Sequence, residues 1–511
     1  MTENTRSAEW RPIAPSGQVA VVGTGTMGQG IAQVALVAGH PVRLYDSAPG
    51  RAEQAARAIL GRLDRLVEKG RMDGAEREAA ARRLTPAAEP ADLAGSVLVV
   101  EAIVEVLDVK QRLFAGLEEV VADDCLLATN TSSLSVTAVA GALRRPGRFV
   151  GLHFFNPAPL LPLVEVVSGA ATDEEAAGTA YETARAWGKT PVRCADTPGF
   201  IVNRVARPFY AEAFAVLEQR GADPATIDAV MRECGGFKMG PFELTDLIGQ
   251  DVNEAVTRSV WESFFHDPKF TPSLAQRRLV ESGRLGRKSG HGWYDHAEGA
   301  RRPQPHTAAP APAPSAVTVA GDLGPAAELV PMMEEAGIRV RHSEEGGGHI
   351  KLPGGGELGL TDGETAVEYE NVVFFDLALD YRTATRVALA ASPDTPEYTV
   401  QAATGLFQAM GKQVSIIDDV PGMIVARTVA MLVDVAADAV ARGVATEEDI
   451  DTAMRLGVNY PRGPLEWARD LGPAGFHDLL RAMHERCPTG RYAPSLGLRR
   501  RAYADTDVTP S

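Results

Sequence analysis

The feature that most constrains the fold of this 511-residue chain is a long internal repeat. The stretch DTPGFIVNR, which begins at Asp196, recurs as DVPGMIVAR from Asp419. The same offset of 223 positions separates four matched pairs, namely Lys189 and Lys412, Asp196 and Asp419, Ile227 and Ile450, and Gly240 and Gly463. Because each copy continues into amphipathic segments with helical spacing, the repeat predicts two copies of one helical domain.

Bulk properties narrow the function classes. Hydrophobic residues make up 45% of the chain and charged residues 23%, which is typical of a globular protein. The net charge of -16 disfavours binding to nucleic acid or to an anionic membrane surface. No uncharged apolar stretch approaches the roughly 20 residues that cross a bilayer. The scattered cysteines suggest neither a zinc site nor a disulfide framework, so we expect a cytoplasmic protein without a metal.

A strand, a glycine-rich turn and a helix follow one another near the N-terminus. A valine-rich strand at residues 19–22 leads into the turn GTGTMG at 23–28 and then into a helical segment at 29–38. A second short strand, 41–45, ends at Asp46. This βαβ order predicts the start of a doubly wound parallel sheet.

The GTGTMG turn has the spacing of a dinucleotide site. Gly23 permits the tight turn, Gly25 lets the backbone approach a pyrophosphate, and Gly28 allows close helix packing. Asp46 is placed to bind the adenosine ribose hydroxyls and to repel a 2′-phosphate, which favours NAD over NADP. The alternatives are a chance glycine turn and a solvated strand end. The cofactor contacts predicted in the turn are Gly23, Gly25, Thr26, Met27 and Gly28.

Two titratable side chains lie in apolar surroundings. His153 ends one apolar strand segment, and Glu165 follows within another. A lone histidine in such a place is usually a satisfied core residue, whereas a lone buried glutamate is rare and costly. Pairing explains both, since the carboxylate would hold the imidazole and raise its basicity. A paired histidine suits an alcohol dehydrogenase, which needs a base for the hydroxyl proton.

Six motifs together resemble the 3-hydroxyacyl-CoA dehydrogenase family, the hydride-transfer enzymes of β-oxidation and related pathways. The motifs are VVGTGTMGQGIAQVA, VEAIVE, NTSSLS, GLHFFNPAPLLPLVEVV, DTPGFIVNR and MGPFELTDLIG, spread over residues 18–294. The resemblance implies that His153 is the general base and Glu165 its partner. It also implies that Ser132 hydrogen-bonds the substrate oxygen near the nicotinamide, and that Asn203 polarises and places that oxygen.

The same resemblance implies further binding residues. It assigns to the cofactor side Glu105, Lys110, Ser132, Asn156 and Lys288. For CoA it points to Arg62 and Lys69, a poorer match. The plainer interpretations are solvated surface lysines at positions 110 and 288, a turn residue at 156, and helix-capping serines at 132 and 133.

The expected fold is an α/β Rossmann-type doubly wound sheet followed by an all-α domain, with a second, degenerate copy of the helical domain at the C-terminus. In that copy Ala426 replaces Asn203, and the cofactor turn is missing. The predicted divisions are a disordered tail (1–17), the NAD-binding domain (18–198), the helical domain (199–296), a Pro/Ala-rich linker (297–315), a degenerate α/β segment (316–400), the second helical domain (401–475) and a C-terminal tail (476–511).

The predicted function is NAD-dependent oxidation of a short-chain (S)-3-hydroxyacyl-CoA to the 3-ketoacyl-CoA, with 3-hydroxybutyryl-CoA and 3-hydroxyadipyl-CoA as candidates. One alternative is a dehydrogenase of the same superfamily that acts on a non-CoA hydroxy acid, such as a sugar acid. Another is a non-catalytic nucleotide-binding scaffold. We expect a homodimer, or a pseudo-dimer within one chain, formed through the helical domains.

Overall fold

A computed structural model describes residues 10–504. Contacts divide the chain into two compact units. The first unit runs to Val202 and also includes Gly443–Val458, whereas the second unit contains Asn203–Arg442 and the chain from Asn459 onward. The first unit therefore takes one segment from the second copy of the repeat.

The elements in chain order are as follows. The strands are β1 (Gln18–Val22), β2 (Val42–Tyr45), β3 (Leu84–Pro86), β4 (Ser96–Glu101), β5 (Leu126–Thr129), β6 (Phe149–Phe154), β7 (Leu163–Ser168), β8 (Thr190–Ala195), β9 (Ala316–Ala320), β10 (Arg339–Ser343), β11 (His349–Lys351), β12 (Glu357–Leu360), β13 (Val372–Phe375), β14 (Arg386–Ala391) and β15 (Gln413–Ile417). The helices are α1 (Thr26–Val37), α2 (Arg51–Glu68), α3 (Gly74–Arg83), α4 (Leu107–Glu118), α5 (Val136–Ala140), α6 (Glu174–Ala186), α7 (Val202–Val205), α8 (Arg207–Glu218), α9 (Pro224–Glu233), α10 (Pro241–Ile248), α11 (Gln250–Ser263), α12 (Leu274–Glu281), α13 (Leu329–Glu335), α14 (Glu397–Ala409), α15 (Val425–Ala441), α16 (Glu447–Gly457), α17 (Pro464–Leu471), α18 (Pro473–Arg486) and α19 (Leu496–Ala504). No helix within residues 10–504 is long and apolar enough to cross a membrane.

The first unit contains one sheet with the strand order β3-β2-β1-β4-β5-β6-β7-β8. The strands from β3 to β6 are parallel, which confirms the predicted doubly wound α/β fold. One reversal was not predicted, since β7 runs antiparallel to β6 and β8 continues parallel to β7. Apolar patterns do not reveal strand direction, because a strand buried on both faces looks the same either way.

Helix α2 shows how the sheet is covered. Its buried positions are Ala52, Ala55, Ala56, Ile59 and Leu63, which form one stripe at helical spacing. The small alanines let the helix approach closely, and each fully buried aliphatic side chain contributes about 1.5–3 kcal/mol.

The predicted N-terminal tail is partly ordered. Residues 1–9 of that tail lie outside the described residues. Further along, the backbone N–H of Ile13 donates to the Thr183 hydroxyl at 3.0 Å, and the Trp10 ring occupies the space beside Gly178, both on α6. The disordered-tail prediction is therefore wrong for residues 10–17, because an indole and a branched side chain find an apolar helix face to pack on.

The second unit contains a smaller mixed sheet, in the order β10-β9-β11-β12-β13-β14-β15. The segment predicted to be degenerate α/β structure, 316–400, supplies six of its strands, and its α-helices are α13 and the start of α14. The Pro/Ala-rich linker lies along this sheet, since the Ala308 N–H donates to the Val414 carbonyl at 2.8 Å.

The C-terminal tail prediction is wrong. Beyond residue 476 the chain continues through α18 and then forms α19. The buried residues Phe476, Leu479, Leu480 and Met483 recur at helical spacing on α18. The second helical domain therefore extends to the end of the described chain.

Helices are exchanged between the two copies. In the first unit, α16 from the second copy packs against β7 and β8, and the Ala195 N–H donates to the Val444 carbonyl at 2.8 Å. In the second unit, α9 from the first copy packs against β14, and the Arg386 guanidinium bonds the Glu233 carboxylate at 2.9 Å. Each sheet is thus covered by a helix from the opposite copy.

Candidate active site

The glycine-rich turn between β1 and α1 forms an open cradle. Gly23 has a φ of 95°, which favours glycine, and a side chain at Gly28 would clash with the Gly23 carbonyl. At Gly25, in contrast, an added Cβ would meet no atom within 4 Å. This open position is the N-cap of α1, where unpaired N–H groups attract phosphate. The turn therefore fits the pyrophosphate of NAD.

Asp46 lines a cavity of 580 Å³ beside this turn. Its carboxylate accepts hydrogen bonds from the Thr24 N–H at 3.0 Å, from the Thr24 hydroxyl at 2.6 Å and from the Ala48 N–H at 3.0 Å. Burial alone would raise the pKa of Asp46, but these hydrogen bonds and the nearby Arg51 lower it. A permanently charged carboxylate suits ribose hydroxyls. Sequence reasoning missed Arg51, which lines the same cavity.

Lys110 is a buried residue whose ammonium group contacts two carboxylates. It is 1% exposed, and its ammonium group bonds the carboxylates of Glu101 at 2.5 Å and Glu105 at 3.0 Å. The surface-lysine interpretation of Lys110 is therefore wrong. Helical periodicity could not reveal this, because the acidic partners come from a neighbouring strand and loop.

Glu105 fixes the loop that carries Ser132. Its carboxylate accepts the Thr131 hydroxyl at 2.7 Å and the Ser132 N–H at 2.8 Å. Burial alone would raise the pKa of Glu105, but Lys110 and these hydrogen bonds lower it. The structure thus brings Glu105, Lys110 and Ser132 together in one connected group.

His153 and Glu165 are cross-strand partners in the antiparallel pair of β6 and β7. The His153 Nδ1 lies 2.6 Å from the Glu165 Oε2, and the two side chains are 7% and 0% exposed. Because a carboxylate only accepts, the Nδ1–H must donate, which leaves the Nε2 of a neutral imidazole as an acceptor. The unpredicted reversal of β7 is what places the pair in register.

The second carboxylate oxygen of Glu165 is also held. Its Oε1 accepts the backbone N–H groups of Ile201 at 3.1 Å and Val202 at 2.8 Å, where α7 begins. Asn203 is the next residue in the chain. Asn130, which directly follows β5, accepts with its side chain the N–H of Phe154 at the end of β6, at 2.8 Å. Sequence reasoning gave Asn130 no role, although it begins the NTSSLS motif.

A basic cleft of 410 Å³ lies on the other side of α1. It collects the predicted Arg62, Lys69 and Asn156 with two further arginines that sequence reasoning missed, Arg65 and Arg71. Thr26 also lines this cleft, whereas Met27 packs against the hydrophobic core. The Arg62 Nη2 is buried without a hydrogen-bond partner, and burial lowers the pKa of Arg62.

Lys288 lies in the second unit and pairs with Asp251 at 2.5 Å. About half of its side chain is exposed, and Asp251 has a lowered pKa: burial would raise it, but Lys288 outweighs that effect. A cofactor contact by Lys288 stays a prediction.

The second copy has lost the dyad. At the offset of 223 positions, His153 corresponds to Asp376, Glu165 to Ala388 and Asn203 to Ala426. Asp376 directly follows β13 and its N–H bonds the Ala388 carbonyl, so the two positions face each other as the dyad does. A carboxylate with an alanine partner cannot supply the base chemistry of a His–Glu pair.

A dinucleotide cradle with a buried His–Glu pair in the same unit defines an NAD-dependent dehydrogenase of hydroxyl groups. The comparisons specify the family. The NAD-binding domain of 3-hydroxyacyl-CoA dehydrogenases matches residues 18–197, and the C-terminal domain matches twice, at 199–296 and 422–506. The reduced Rossmann-fold domain of 3-hydroxybutyryl-CoA dehydrogenase matches residues 358–421.

One curated relative matches nearly the whole chain, and another matches about half of it. The 3-hydroxyadipyl-CoA dehydrogenase of Escherichia coli K12 is 44% identical over 96% of this chain and 98% of its own length. A probable 3-hydroxybutyryl-CoA dehydrogenase of Deinococcus radiodurans is 41% identical over 54% of this chain. The crystal structure of a 3-hydroxybutyryl-CoA dehydrogenase from E. coli K12 superposes with a TM-score of 0.87 at 43% identity, covering 96% of this chain and 99% of that one.

The chain belongs to the 3-hydroxyacyl-CoA dehydrogenase family. It is an NAD-dependent oxidoreductase of 3-hydroxyacyl-CoA thioesters.

Proposed function

We propose that His153 takes the proton from the C3 hydroxyl of a short-chain (S)-3-hydroxyacyl-CoA. The observation that carries this proposal is the 2.6 Å contact between the His153 Nδ1 and Glu165. It fixes the tautomer, so that the Nε2 lone pair is available to the hydroxyl proton. The Gly23–Gly28 turn and Asp46 would hold NAD, which would supply the acceptor for the C3 hydride.

Glu165 stabilises the imidazolium that proton transfer creates. The carboxylate is fully buried, and its other oxygen is tied to two backbone N–H groups, so it cannot turn away from the ring. In the reverse direction the same imidazolium protonates the alkoxide, so one residue serves both directions.

Ser132 and Asn203 hold the substrate oxygen. Two observations support their placement. The Ser132 backbone is anchored to the Glu105 carboxylate, and Asn203 follows Val202, whose N–H is anchored to Glu165. The Ser132 N–H is therefore fixed by the Glu105 carboxylate, and the residue before Asn203 is fixed by the buried Glu165 carboxylate. Fixed attachment of this kind is what transition-state hydrogen bonding requires.

The basic cleft binds CoA. Arg62, Arg65, Lys69 and Arg71 line one cavity. Guanidinium and ammonium groups are the side chains that pair with phosphate, and CoA carries several phosphate charges. Lowering this positive charge would therefore weaken binding of the thioester and leave NAD binding intact.

The duplicated helical domain takes the place of a partner subunit. Helix α16 of the second copy completes the first unit, while α9 of the first copy completes the sheet of the second. A single chain thus supplies both halves of a pseudo-dimer, and pseudo-dimers can assemble further. The four cysteines are free, and three are buried, which suits a reducing cytoplasm.

NADH oxidation with acetoacetyl-CoA tests the proposed function. The relatives' names include both 3-hydroxybutyryl-CoA and 3-hydroxyadipyl-CoA enzymes, so turnover of a short thioester is expected. Free acetoacetate is the matched control, since it offers the same ketone without CoA. Equal turnover of the free acid would support a non-CoA hydroxy-acid dehydrogenase, and absence of single-turnover hydride transfer would support a non-catalytic scaffold.

A further inference from the structure

Arg207 is a buried arginine without a carboxylate partner within residues 10–504. It begins α8 and is 5% exposed. Its Nη1 donates to the Thr257 hydroxyl at 3.1 Å, its guanidinium lies 5.0 Å from the centre of the Tyr210 ring, and its Nε is buried without a hydrogen-bond partner. Burial lowers the pKa of Arg207, and the groups that oppose this effect are the hydroxyls of Tyr210 and Tyr460. Removing a guanidinium from water is costly unless an anion and hydrogen bonds replace the water, so Arg207 has an unmet requirement for an anion.

The buried carboxylate of Glu212 does not meet this requirement, because two other arginines share it. Glu212 is fully buried and accepts hydrogen bonds from the Arg427 Nε at 3.1 Å and from the Arg491 Nε at 2.9 Å. The Tyr492 hydroxyl donates to the same carboxylate at 3.1 Å. The side chains of Arg427 and Arg491 are 0% and 12% exposed. Two mostly buried guanidinium groups thus share one carboxylate, and Arg207 adds a further positive charge.

Arg207 and Arg491 line one cavity of 510 Å³, which we name the Arg207 cavity. This volume is within the range of about 300–1,000 Å³ that is typical of small-molecule sites. The walls include the rings of Tyr210, Phe214 and Trp261. The Trp261 Nε1 is a second buried donor without a hydrogen-bond partner. The cavity therefore combines aromatic walls with two guanidinium groups and an indole N–H that is available to a ligand.

The Arg207 cavity shares no lining residue with the sites already described. Its lining residues include none of those assigned to catalysis, to NAD or to CoA, and all of them belong to the second unit. The acidic lining residue Glu218 is exposed, and its carboxylate accepts the Ser273 hydroxyl at 2.7 Å and the Ala275 N–H at 3.0 Å. This solvated carboxylate leaves the positive charge of the cavity in excess. The proposed reaction gives the cavity no role, so its ligand is a different molecule from the substrate and the cofactor.

The composition of the cavity selects the class of anion. A bare phosphate would leave several oxygens against ring carbons without hydrogen bonds, which is costly. A carboxylate on an aromatic ring suits both parts of the cavity, since the carboxylate pairs with a planar guanidinium and the ring packs on other rings. We propose that the Arg207 cavity binds a small aromatic carboxylate. Arg207 pairs with the carboxylate, the rings of Tyr210, Phe214 and Trp261 pack on the ligand ring, and the Trp261 N–H is a further donor.

Benzoate and benzamide test the proposal on the full-length protein by isothermal titration calorimetry. The two compounds share a ring and a planar head group, but only benzoate is charged. We expect wild type to bind benzoate at least about tenfold more tightly than benzamide, because a hydrogen bond to a charged group gains about tenfold to a hundredfold in affinity. Saturating CoA and NADH should leave the Kd of benzoate unchanged, since the cavities proposed for them share no lining residue with the Arg207 cavity.

Two variants assign the binding to this cavity. Arg207→Met keeps most of the side-chain length and should weaken benzoate binding by about tenfold to a hundredfold, while the Kd of benzamide stays near the wild-type value. Trp261→Phe keeps an aromatic wall, removes one donor and should weaken benzoate binding by about two- to tenfold. Arg277→Met, which removes an exposed arginine paired with Glu281, is the control and should keep the wild-type Kd.

Several results would overturn the proposal. Absence of benzoate binding, or equal Kd values for benzoate and benzamide, would show that the cavity does not select a carboxylate. Displacement of benzoate by CoA or NADH would assign it to their sites instead. An unchanged benzoate Kd in folded Arg207→Met would also overturn the proposal, and Trp261→Phe decides in the same way if Arg207→Met does not fold. Inorganic phosphate that binds as tightly as benzoate would exclude selection of a ring. None of these measurements involves turnover, so their failure leaves the proposed dehydrogenase function intact.

Discussion

The Asp376 carboxylate accepts a 2.8 Å hydrogen bond from the Val425 N–H, just as Glu165 accepts one of 2.8 Å from the Val202 N–H. Val202 and Val425 are equivalent positions of the repeat, but the two carboxylates are not, since Asp376 corresponds to His153 and not to Glu165. A buried helix start needs an acceptor for its free N–H groups. In the second copy a carboxylate at the position of His153 serves as this acceptor, and there is no base, so the structural task of the carboxylate is separated from its chemical one.

Asp376 should make stability fall as the pH rises. Burial raises the pKa of Asp376 to about 6, above its value in an unfolded chain. Between these values the folded state binds the extra proton, so the free energy of unfolding decreases as pH rises toward 6. The Asp376→Asn variant has no titratable side chain at this position. The stability of wild type relative to Asp376→Asn should therefore be greater at pH 5 than at pH 7.5, by about 1 kcal/mol, as measured by chemical unfolding.

Glu165→Gln is the matched comparison for that variant. Both substitutions weaken an acceptor at a helix start, but only Glu165 holds a histidine. We expect Glu165→Gln to lower kcat and Asp376→Asn to leave kcat at the wild-type value. Similar losses of kcat in the two variants would contradict the separation of tasks.

His153→Gln should lower kcat by about 10²- to 10⁴-fold, the usual contribution of a general base. Binding of NADH, followed by its fluorescence, should stay at the wild-type Kd. The control is His40→Gln, since His40 is another buried histidine of the first unit and hydrogen-bonds the Trp187 indole at 2.9 Å. The control should lower the melting temperature more than kcat. Joint loss of turnover and NADH binding in His153→Gln would instead indicate a structural role.

Asp46→Ala should relax the preference for NAD. Removing a fixed negative charge beside the ribose site should raise kcat/KM for NADP and lower it for NAD, changing the ratio by about tenfold or more. Because its hydrogen bonds lower the pKa of Asp46, the wild-type preference should not weaken as pH falls from 8 to 5. Asp64→Ala, at an exposed ion pair with Arg77, is the control and should keep the wild-type ratio.

Gly457 ends α16, the helix of the second copy that packs in the first unit. Gly457→Ala should therefore disturb the packing around the catalytic residues. An added Cβ would lie 2.7 Å from the Leu163 side chain and 3.0 Å from the Val202 side chain. Leu163 lies two residues before Glu165 in β7, and the Val202 N–H donates to the Glu165 carboxylate. Overpacking of this kind costs about 1–3 kcal/mol, so both the melting temperature and kcat should fall. Gly475→Ala is the control, because an added Cβ there meets nothing within 4 Å. Equal behaviour of the two variants would count against this coupling.

The parts that sequence predicted are those with local patterns. The glycine turn, Asp46 and the duplicated helices follow from spacing alone, and the pairing of His153 with Glu165 follows from the cost of burying a lone carboxylate. The reversal of β7 and the burial of Lys110 depend on how strands, loops and helices pack against one another. Periodicity does not reveal such packing, because a lysine on a helix gives the same sequence pattern whether water or two carboxylates surround it.

The exchange of α9 and α16 also sets an order of events during synthesis. Strand β8 is synthesised long before α16, the helix of the second copy that packs on it, because Ala195 and its partner Val444 lie 249 positions apart. Contacts of such separation form slowly, and apolar surface left open in the meantime is prone to aggregate. The oxidoreductase half, although first in the sequence, is therefore completed only when nearly the whole polypeptide has been made, and a ribosome that stops midway releases a protein with a bare sheet face.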